Sequence, residues 1–407
     1  MIKRHLAKIL NDYATYFPVV LLTGMRQVGK STLLEMELKD KVLSNVSFDE
    51  LQDRALAEND PNLFFKINKA PVIIDEVQYV PSIFRNIKIL VDKARQNGSF
   101  FLTGSQSFKL MGGVSESLAG RIGILEIMPI SIREEEGDNF TEPFVPTGEY
   151  IAKRGGMRVE NLWDRIYRGF FPELIKNPHL PPAVFFSSYV KTYLERDLRE
   201  IINVQKLTLF EKFLRILAYR SGSIINYSDI SSVLGINDKT VKSWVEILEQ
   251  SGLIFHLQPY FGNSEKKLTK SPKLYFSDTG LLCYLLGGID SGEDIEKNVF
   301  EKKGSVFETF VISEIRKSFL NAGKEPCFSF YRESGTNLEV DLLIEIGNRI
   351  YPVEIKSTKT PSDNDARNFK VLTNIRDREI ESPVVVCDTD RVGALKNKAV
   401  TLPATWI

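Results

Sequence analysis

An α/β chain of several domains, headed by a parallel sheet that holds a nucleoside triphosphate, is the fold class the sequence predicts, and three observations predict it. The apolar run Phe17 to Leu22 feeds into Gly24-Met25-Arg26-Gln27-Val28-Gly29-Lys30-Ser31, and an amphipathic segment follows from Thr32. A second apolar run, Val72-Ile73-Ile74, ends in Asp75-Glu76. A third, from Ser99 to Thr103, ends in Gly104-Ser105-Gln106-Ser107. Strand, glycine loop and helix in that order make a phosphate-binding loop.

Gly24 and Gly29 let the backbone curl so that successive N–H groups face phosphate oxygens, and the helix opening near Lys30 adds its positive end. Lys30 is expected to reach the β and γ phosphates and Ser31 to ligate Mg²⁺, so ATP and Mg²⁺ are the expected ligands. A buried strand carries acids only at its C-terminal lip. There Asp75 can hold Mg²⁺ through water while Glu76 polarises the attacking water. At the tip of the third strand Ser105 is the candidate γ-phosphate sensor, with Thr103 and Gln106 near enough to compete; a Gly-Ser turn accounts for the serine equally well. This combination resembles that of the additional-strand class of P-loop ATPases, in which the tip of the third strand senses the γ-phosphate. Arg121, at the end of Ser117-Leu118-Ala119-Gly120-Arg121, is the first candidate for an arginine finger, Arg133 the second and Arg26 the third. A finger requires a rigid, permanently charged fork, supplied in cis or by a neighbouring subunit. A surface or structural arginine fits each position as well.

These segments (Leu22 to Thr32, Ile74-Asp75-Glu76-Val77-Gln78, Leu102-Thr103-Gly104-Ser105 and Leu118-Ala119-Gly120-Arg121) resemble a large group of prokaryotic AAA-type ATPases. The usual companion in that group is a C-terminal domain of unknown function related to the restriction-endonuclease-like superfamily. The resemblance spans nearly the whole chain.

Bulk properties bound the rest. With 407 residues the chain exceeds one ordinary core, and 43% hydrophobic against 26% charged residues is the composition of a globular protein. Lys plus Arg equals Asp plus Glu at 53 each, so contact with DNA must come from a local patch rather than a global field. Cys283, Cys327 and Cys387 make neither a disulfide framework nor a zinc pattern, which suits a reducing cytoplasm. The charged start Met1-Ile2-Lys3-Arg4-His5 and the lack of an apolar run near 18 residues predict a soluble protein without a membrane partner.

Residues 134–156, rich in acids, prolines and glycines, read as a long loop that closes the first domain. Arg196 and Asp197, on a helix beyond it, are candidate contacts to the nucleotide, with a solvated helical face as the plainer reading. From Phe210 onward the spacing predicts helix, turn and helix: Phe213, Leu214 and Leu217, then Ile230, Val233 and Leu234, Gly235 at the turn, then Val241, Trp244, Val245 and Leu248. Leu253 to Leu257 and Lys273 to Phe276 are the expected wing strands, with Lys266, Lys267, Lys270 and Lys273 between and beside them. Asn237, Asp238, Lys239, Thr240, Lys242 and Ser243 could meet phosphates and base edges, although a winged helix serves equally well as a lid or protein-docking module. His256 reads as a packed histidine.

After a Gly- and acid-rich stretch at 287–304, a helix carries Glu308, and paired strands carry Asp341 and Glu354-Ile355-Lys356. Alternation puts Val340, Leu342 and Ile344 on one face and Asp341 on the other, and likewise sets Tyr351, Val353 and Ile355 against Glu354 and Lys356, so that two acids and a lysine can converge. Two acids and a lysine at adjacent strands make a hard site for a second Mg²⁺ or Mn²⁺ beside a phosphodiester. Glu308, Asp341, Glu354 and Lys356 match the PD-(D/E)xK signature, and a helix near Asn364 to Leu372 and a strand at Val384 to Cys387 resemble the rest of that core. The expected division is therefore an ATPase domain at 1–145, a helical connector at 146–205, a winged-helix-like region at 206–286 and a nuclease-like domain at 304–407. The expected activity is ATP hydrolysis controlling a DNA-directed, metal-dependent nuclease-like domain. The alternative is an ATP-driven switch or transcriptional regulator that binds DNA or a protein without cleavage. A finger acting in trans would imply oligomers.

Overall fold

A computed structural model describes residues 2–104, 117–193, 207–260, 271–297, 301–333, 335–336, 338–396 and 398–407. Five strands, β1 (Val19–Thr23), β2 (Ser44–Ser47), β3 (Val72–Asp75), β4 (Phe100–Gly104) and β5 (Ile122–Glu126), form a parallel sheet in the order β2-β3-β4-β1-β5. β1 and β4 are buried along their whole length, as a parallel sheet covered on both faces demands of its central strands. Val20, Leu22 and Phe101 face one core, with Leu6 and Leu10 of α1 (Leu6–Tyr16) and Leu34 of α2 (Lys30–Leu38). Val19, Leu21, Ile74 and Leu102 face the other, with Phe48, with Phe64 of α4 (Pro61–Ile67), which follows α3 (Leu51–Asn59), and with Phe84 and Ile87 of α5 (Ile83–Ala94). Inserting β4 between β1 and β3 sets three strand tips side by side, which is where open α/β sheets gather ligands.

The stretch at 134–156 is not a bare boundary. It holds the end of α6 (Ile132–Glu135) and all of α7 (Gly148–Arg154), and Phe144, Tyr150 and Arg154 within it are buried. Arg133 is the reason. Buried at 3% exposure, it donates to the carbonyls of Ile407 (2.7 Å), Glu142 (2.7 Å) and Phe140 (3.2 Å) and to the Tyr150 hydroxyl (2.6 Å). The prolines and glycines mark turns, while one guanidinium gathers the turns around the Ile407 carbonyl. Beyond lie α8 (Leu162–Arg168), α9 (Pro172–Lys176) and α10 (Pro182–Tyr193).

The middle of the chain runs α11 (Leu207–Tyr219), β6 (Ser223–Ile224), α12 (Tyr227–Leu234), α13 (Asp238–Gln250), β7 (Ile254–Pro259) and β8 (Lys273–Phe276). Asn226 and Asn237 cap α12 and α13 by accepting from Asp229 N and Thr240 N, and Gly235 takes the left-handed conformation (φ 66°) that ends α12. Trp244 packs edge-on to Phe210 and Phe213. β8 pairs antiparallel with both β6 and β7. His256 is bonded to Glu249 (2.8 Å).

These strands do not stand apart from the C-terminal ones. β7 pairs in parallel with β9 (Phe328–Arg332), through Gln258 opposite Ser329, and the sheet continues into β10 (Glu339–Ile346), β11 (Arg349–Lys356), β13 (Val384–Cys387), β15 (Val400–Pro403) and β14 (Gly393–Ala394), with β12 (Glu379–Ile380) beside β11. The expected helix near Asn364 is a 3₁₀ helix, Asp363–Asn374. The simple alternation expected for β10 fails because the β9 pairing carries a bulge between Val340 and Leu343. Val340 and Leu343 share one core, and Leu342 and Ile344 share the other. Three more helices, α14 (Thr279–Leu286), α15 (Gly292–Glu296) and α16 (Lys303–Asn321), complete the chain. α16 bridges the two sheets: Arg316 pairs with Glu126 (2.8 Å), Glu314 accepts from Ile132 N (2.9 Å) and Lys317 donates to Ile130 O (3.0 Å). Phe310 and Phe307 on the same helix pack on Phe170 and Trp163. One continuous apolar core thus joins the ATP-binding fold to the C-terminal sheet.

Candidate functional site

The glycine loop leaves β1 at Thr23 and enters α2 at Lys30, as the sequence requires. Gly24 (φ 144°) passes so close to Ile127 that a Cβ would meet its carbonyl oxygen at 2.1 Å, and Gly29 (φ 92°) makes the second turn. Lys30 is buried and its ammonium is folded onto the loop itself, donating to Gly24 O (3.0 Å) and Met25 O (2.8 Å). Ser31 Oγ donates to Asp75 Oδ1 at 2.6 Å across the β1–β3 gap. Thr103 Oγ1 also donates to Asp75 Oδ1 and accepts from Glu76 N (3.1 Å), while Ser47 Oγ reaches Asp75 Oδ2 (3.5 Å). Glu76 takes a left-handed backbone (φ 54°), uncommon for a side-chain residue, and its carboxylate accepts from Gln78. Ser31 and Asp75, a hydroxyl and a carboxylate in contact at the lip of the sheet, form a donor set that suits Mg²⁺.

Arg4, which the sequence did not mark, supports this loop from behind. It is buried and donates to Val28 O (2.8 Å), Met128 O (2.7 Å) and Glu134 (3.0 Å). Glu134 also closes a capping box with Ser131 and accepts from His5 N (2.8 Å). Burial raises the Glu134 carboxyl, but the charge of Arg4 and the backbone donors outweigh it and hold it below its usual range.

The arginines part ways. Arg121 O accepts from Val19 N, so Arg121 sits at the start of β1 and β5, whereas the phosphate loop leaves the far end of β1, about 13 Å away at the rise of a strand. Its guanidinium is half-exposed and paired with Asp92 (2.6 Å). A finger in cis is thereby excluded for Arg121. Arg133 serves the packing network described above. Ser105 and Gln106, Arg196 and Asp197, and Lys266, Lys267 and Lys270 lie outside the described residues.

Beside the C-terminal sheet, Asp341, Glu354 and Lys356 are in contact, and Glu308 lies near enough to act on Asp341 and Lys356 by charge. Lys356 Nζ contacts Glu354 Oε1 (2.8 Å) and Asp341 Oδ2 (3.4 Å), and Asp341 accepts from Ile355 N (2.9 Å). Asn368 of the 3₁₀ helix donates to Glu354 Oε1 (2.7 Å), and the wholly buried Glu354 Oε2 has no hydrogen-bond partner. Burial, then the charge of Asp341, pushes the Glu354 carboxyl up to about 8, and Lys356 and Asn368 only partly offset the rise. Glu308 on α16 accepts from Tyr275 (2.6 Å) and from Lys273 (3.2 Å), and Lys273 also pairs with Glu339 (2.5 Å). Burial raises the Glu308 carboxyl; Lys273 opposes the shift and Asp341 adds to it. Burial alone would depress the Lys273 ammonium, but Glu308, Tyr275, Asp341 and Glu339 together hold it well above its usual range.

Lys273 and Tyr275 come from β8, before the expected start of the C-terminal domain. The one signal for Lys273 was a charge within the otherwise apolar Leu274-Tyr275-Phe276 run, and it read as part of a basic patch. Among the described residues no group of three or more His, Cys, Asp or Glu side chains is gathered as a metal ion would need. Lysine ammonium groups lie between the carboxylates instead.

Comparison with known proteins adds the following. Residues 16–135 match the model of the AAA domain family, residues 159–291 a domain of unknown function (DUF8612) and residues 303–407 a domain of unknown function (DUF4143). Uncharacterized proteins of Mycobacterium tuberculosis and Mycobacterium bovis are each 30% identical over 392 residues, 96% of this chain and 81% of theirs. An uncharacterized protein of Methanocaldococcus jannaschii is 26% identical over 63% of this chain and 60% of its own length. Among solved structures, the Walker-type ATPase paby2304 of Pyrococcus abyssi aligns with a TM-score of 0.43 at 15% identity, over 69% of this chain and 94% of that one. The RuvB Holliday junction branch migration motor of Thermotoga maritima aligns with a TM-score of 0.30 at 17% identity, over 66% and 95%. No helix among the described residues is long and apolar enough to cross a membrane.

Proposed function

We propose, for a chain that belongs to the family of these mycobacterial proteins, an ATP hydrolase whose AAA domain controls a DNA-directed, nuclease-like site at the C-terminal end. The observation that carries the first half is Asp75, where Thr103 and Ser47 from two other strand tips meet Ser31 from the start of α2. When bound there, Mg²⁺ would neutralise charge on the β and γ phosphates, with Ser31 and Asp75 holding it. Lys30 would exchange Gly24 O and Met25 O for phosphate oxygens, a short movement because its ammonium already lies inside the loop. Glu76 would orient and polarise the attacking water, its position set by Thr103 at the backbone and Gln78 at the carboxylate. Arg121 would act on nucleotide bound by a neighbouring copy, since its own phosphate loop is at the opposite end of the sheet. Ser105 keeps its proposed role as γ-phosphate sensor from the sequence alone.

The second half rests on Glu308, Asp341, Glu354 and Lys356 lying in one cluster, with Lys356 placed to orient a water or a phosphate oxygen. As folded, the carboxylates are bridged by lysines, so no step is assigned to a metal ion at this site. The test is incubation of the purified chain with plasmid, Mn²⁺ and ATP. Nicking lost in Asp341→Asn and Lys356→Ala supports cleavage, and its absence in the unaltered chain removes the nuclease part.

One observation favours a reading without cleavage. The order helix, strand, helix, helix and two antiparallel strands over residues 207–276 supports a winged-helix reading, and Asn237, Asp238, Lys239, Lys242 and Ser243 are exposed on α13 and its cap. A switch that binds DNA through this face would lose affinity for duplex DNA, with a smaller salt slope, in Lys239→Ala and Lys242→Ala.

A further inference from the structure

We propose that Arg4 is a positioning residue for nucleotide binding: its guanidinium pins the Val28 carbonyl outward and so aims the Gly29 N–H at the phosphates that ATP and ADP share. This rests on reading the glycine loop as the ATP site. Three bonds fix the guanidinium, from Nη1 to Val28 O (2.8 Å), from Nη2 to Met128 O (2.7 Å) and from Nε to Glu134 Oε1 (3.0 Å). Arg4 and Glu134 are both buried, so water competes little for these bonds.

A planar trans peptide sets its C=O and its N–H on opposite sides. The peptide from Val28 to Gly29 is trans, so a carbonyl held at Arg4 turns the Gly29 N–H away from Arg4 and into the hollow of the loop. Orientation matters here because Gly29 lies at φ 92°, in a region where glycine lets the adjoining peptide rotate at little cost. Flipped, that peptide would present the Val28 oxygen to the phosphates and repel them. The loop carries the freedom, and Arg4 removes it.

The frame behind Arg4 is firm. Met128 and Glu134 lie on the segment after β5, where Ile127 N donates to Thr23 O (2.8 Å). α16 grips the same segment: Lys317 donates to Ile130 O (3.0 Å), Glu314 accepts from Ile132 N (2.9 Å) and Arg316 pairs with Glu126 (2.8 Å). The charge of Arg4 is matched by Glu134 and not offered to phosphate, so charge compensation falls to Lys30 and orientation to Arg4. Lysine is no substitute. An ammonium on a flexible stem is a point donor and cannot hold two carbonyls and a carboxylate as a planar fork does.

The test uses the full chain with ADP as the calorimetric probe. Arg4→Lys should bind ADP roughly tenfold or more weakly than the unaltered protein, the size of one lost bond to a charged group. In steady-state hydrolysis the KM for ATP should rise by a similar factor while kcat changes less than about threefold, because the lost interaction is made equally in ground and transition states. Arg4→Gln, with the same expected loss, guards against the lysine variant failing to fold. Arg133→Met is the control for stability: it too strips buried carbonyls of a donor, so its melting temperature should fall while its affinity for ADP stays unchanged. Unaltered ADP affinity in Arg4→Lys, a fall in kcat with KM unchanged, or an equal loss of affinity in Arg133→Met overturns the role of Arg4 alone. If the unaltered chain binds neither ADP nor ATP, the ATP-site reading falls with it.

Discussion

Replacing Glu354 with glutamine in chelator-treated buffer should remove a large pH dependence of stability. The Glu354 side chain is wholly buried, one oxygen accepting from Lys356 (2.8 Å) and Asn368 (2.7 Å) and the other having no partner. Burial first, and the neighbouring Asp341 charge second, move its titration from the usual 4.5 to about 8. Between those values the folded chain keeps a proton at this position that the unfolded chain has released. The unfolded state then binds fewer protons, so stability falls as pH rises, by up to about 1.4 kcal/mol per pH unit. Across the whole interval the ceiling is about 5 kcal/mol. The Glu354→Gln variant carries no titrating group there and is close in shape to the protonated acid. Urea unfolding followed by circular dichroism at one-unit steps from pH 5 to pH 9 measures the difference between the two proteins, in which all other titrations largely cancel. The unaltered protein should lose ground steadily to Glu354→Gln as pH rises through that range, and the difference should flatten above the titration of Glu354. A difference independent of pH, or one in which the unaltered protein gains, would mean that Glu354 is ionised throughout as the partner of Lys356, and would refute the reasoning.

Three further outcomes concern the nucleotide end and the packing network of Arg133. Lys30→Ala should abolish phosphate release, and Glu76→Gln should bind a fluorescent ATP analogue with near-normal affinity while losing roughly 100-fold or more in turnover; retained turnover in either contradicts the site. Arg121→Ala should leave the melting temperature nearly unchanged, because its pair with Asp92 is solvent-exposed, yet abolish hydrolysis. Mixed with the equally inactive Lys30→Ala it should recover activity if the arginine serves a neighbour, and no recovery on mixing counts against action in trans. Arg133→Met should destabilise the fold by about 2–4 kcal/mol in urea unfolding, since three carbonyls and the Tyr150 hydroxyl lose a buried donor; an unchanged midpoint would deny it the packing role.

Legibility followed the range of the interaction. The glycine loop, Asp75 and Glu76 could be read because local chemistry makes them: a curled backbone needs Gly24 and Gly29, and a buried strand can carry acids only at its lip. Arg4 gave no such signal, since its partners Val28, Met128 and Glu134 are scattered along the sequence. The same distance hid the part played by residues 134–156, where turn-rich composition concealed Arg133 reaching Ile407. Alternation misjudged β10 because a bulge is a property of the pairing with β9 and not of β10 itself.

By itself the sequence determined a curled nucleotide loop and a carboxylate pair at the end of a second buried strand. Those properties are set by backbone freedom and strand patterning, which act over a few residues. The grouping of Glu308 with Asp341, Glu354 and Lys356 came only as what the resemblance to the PD-(D/E)xK signature implies. Tertiary structure alone decided which end of the sheet Arg121 occupies, that β7 and β8 extend the C-terminal sheet, and that Lys273 fills the space among the acids. Charge and burial at a site are summed over everything packed around it. No stretch of sequence contains that sum until the strands have paired.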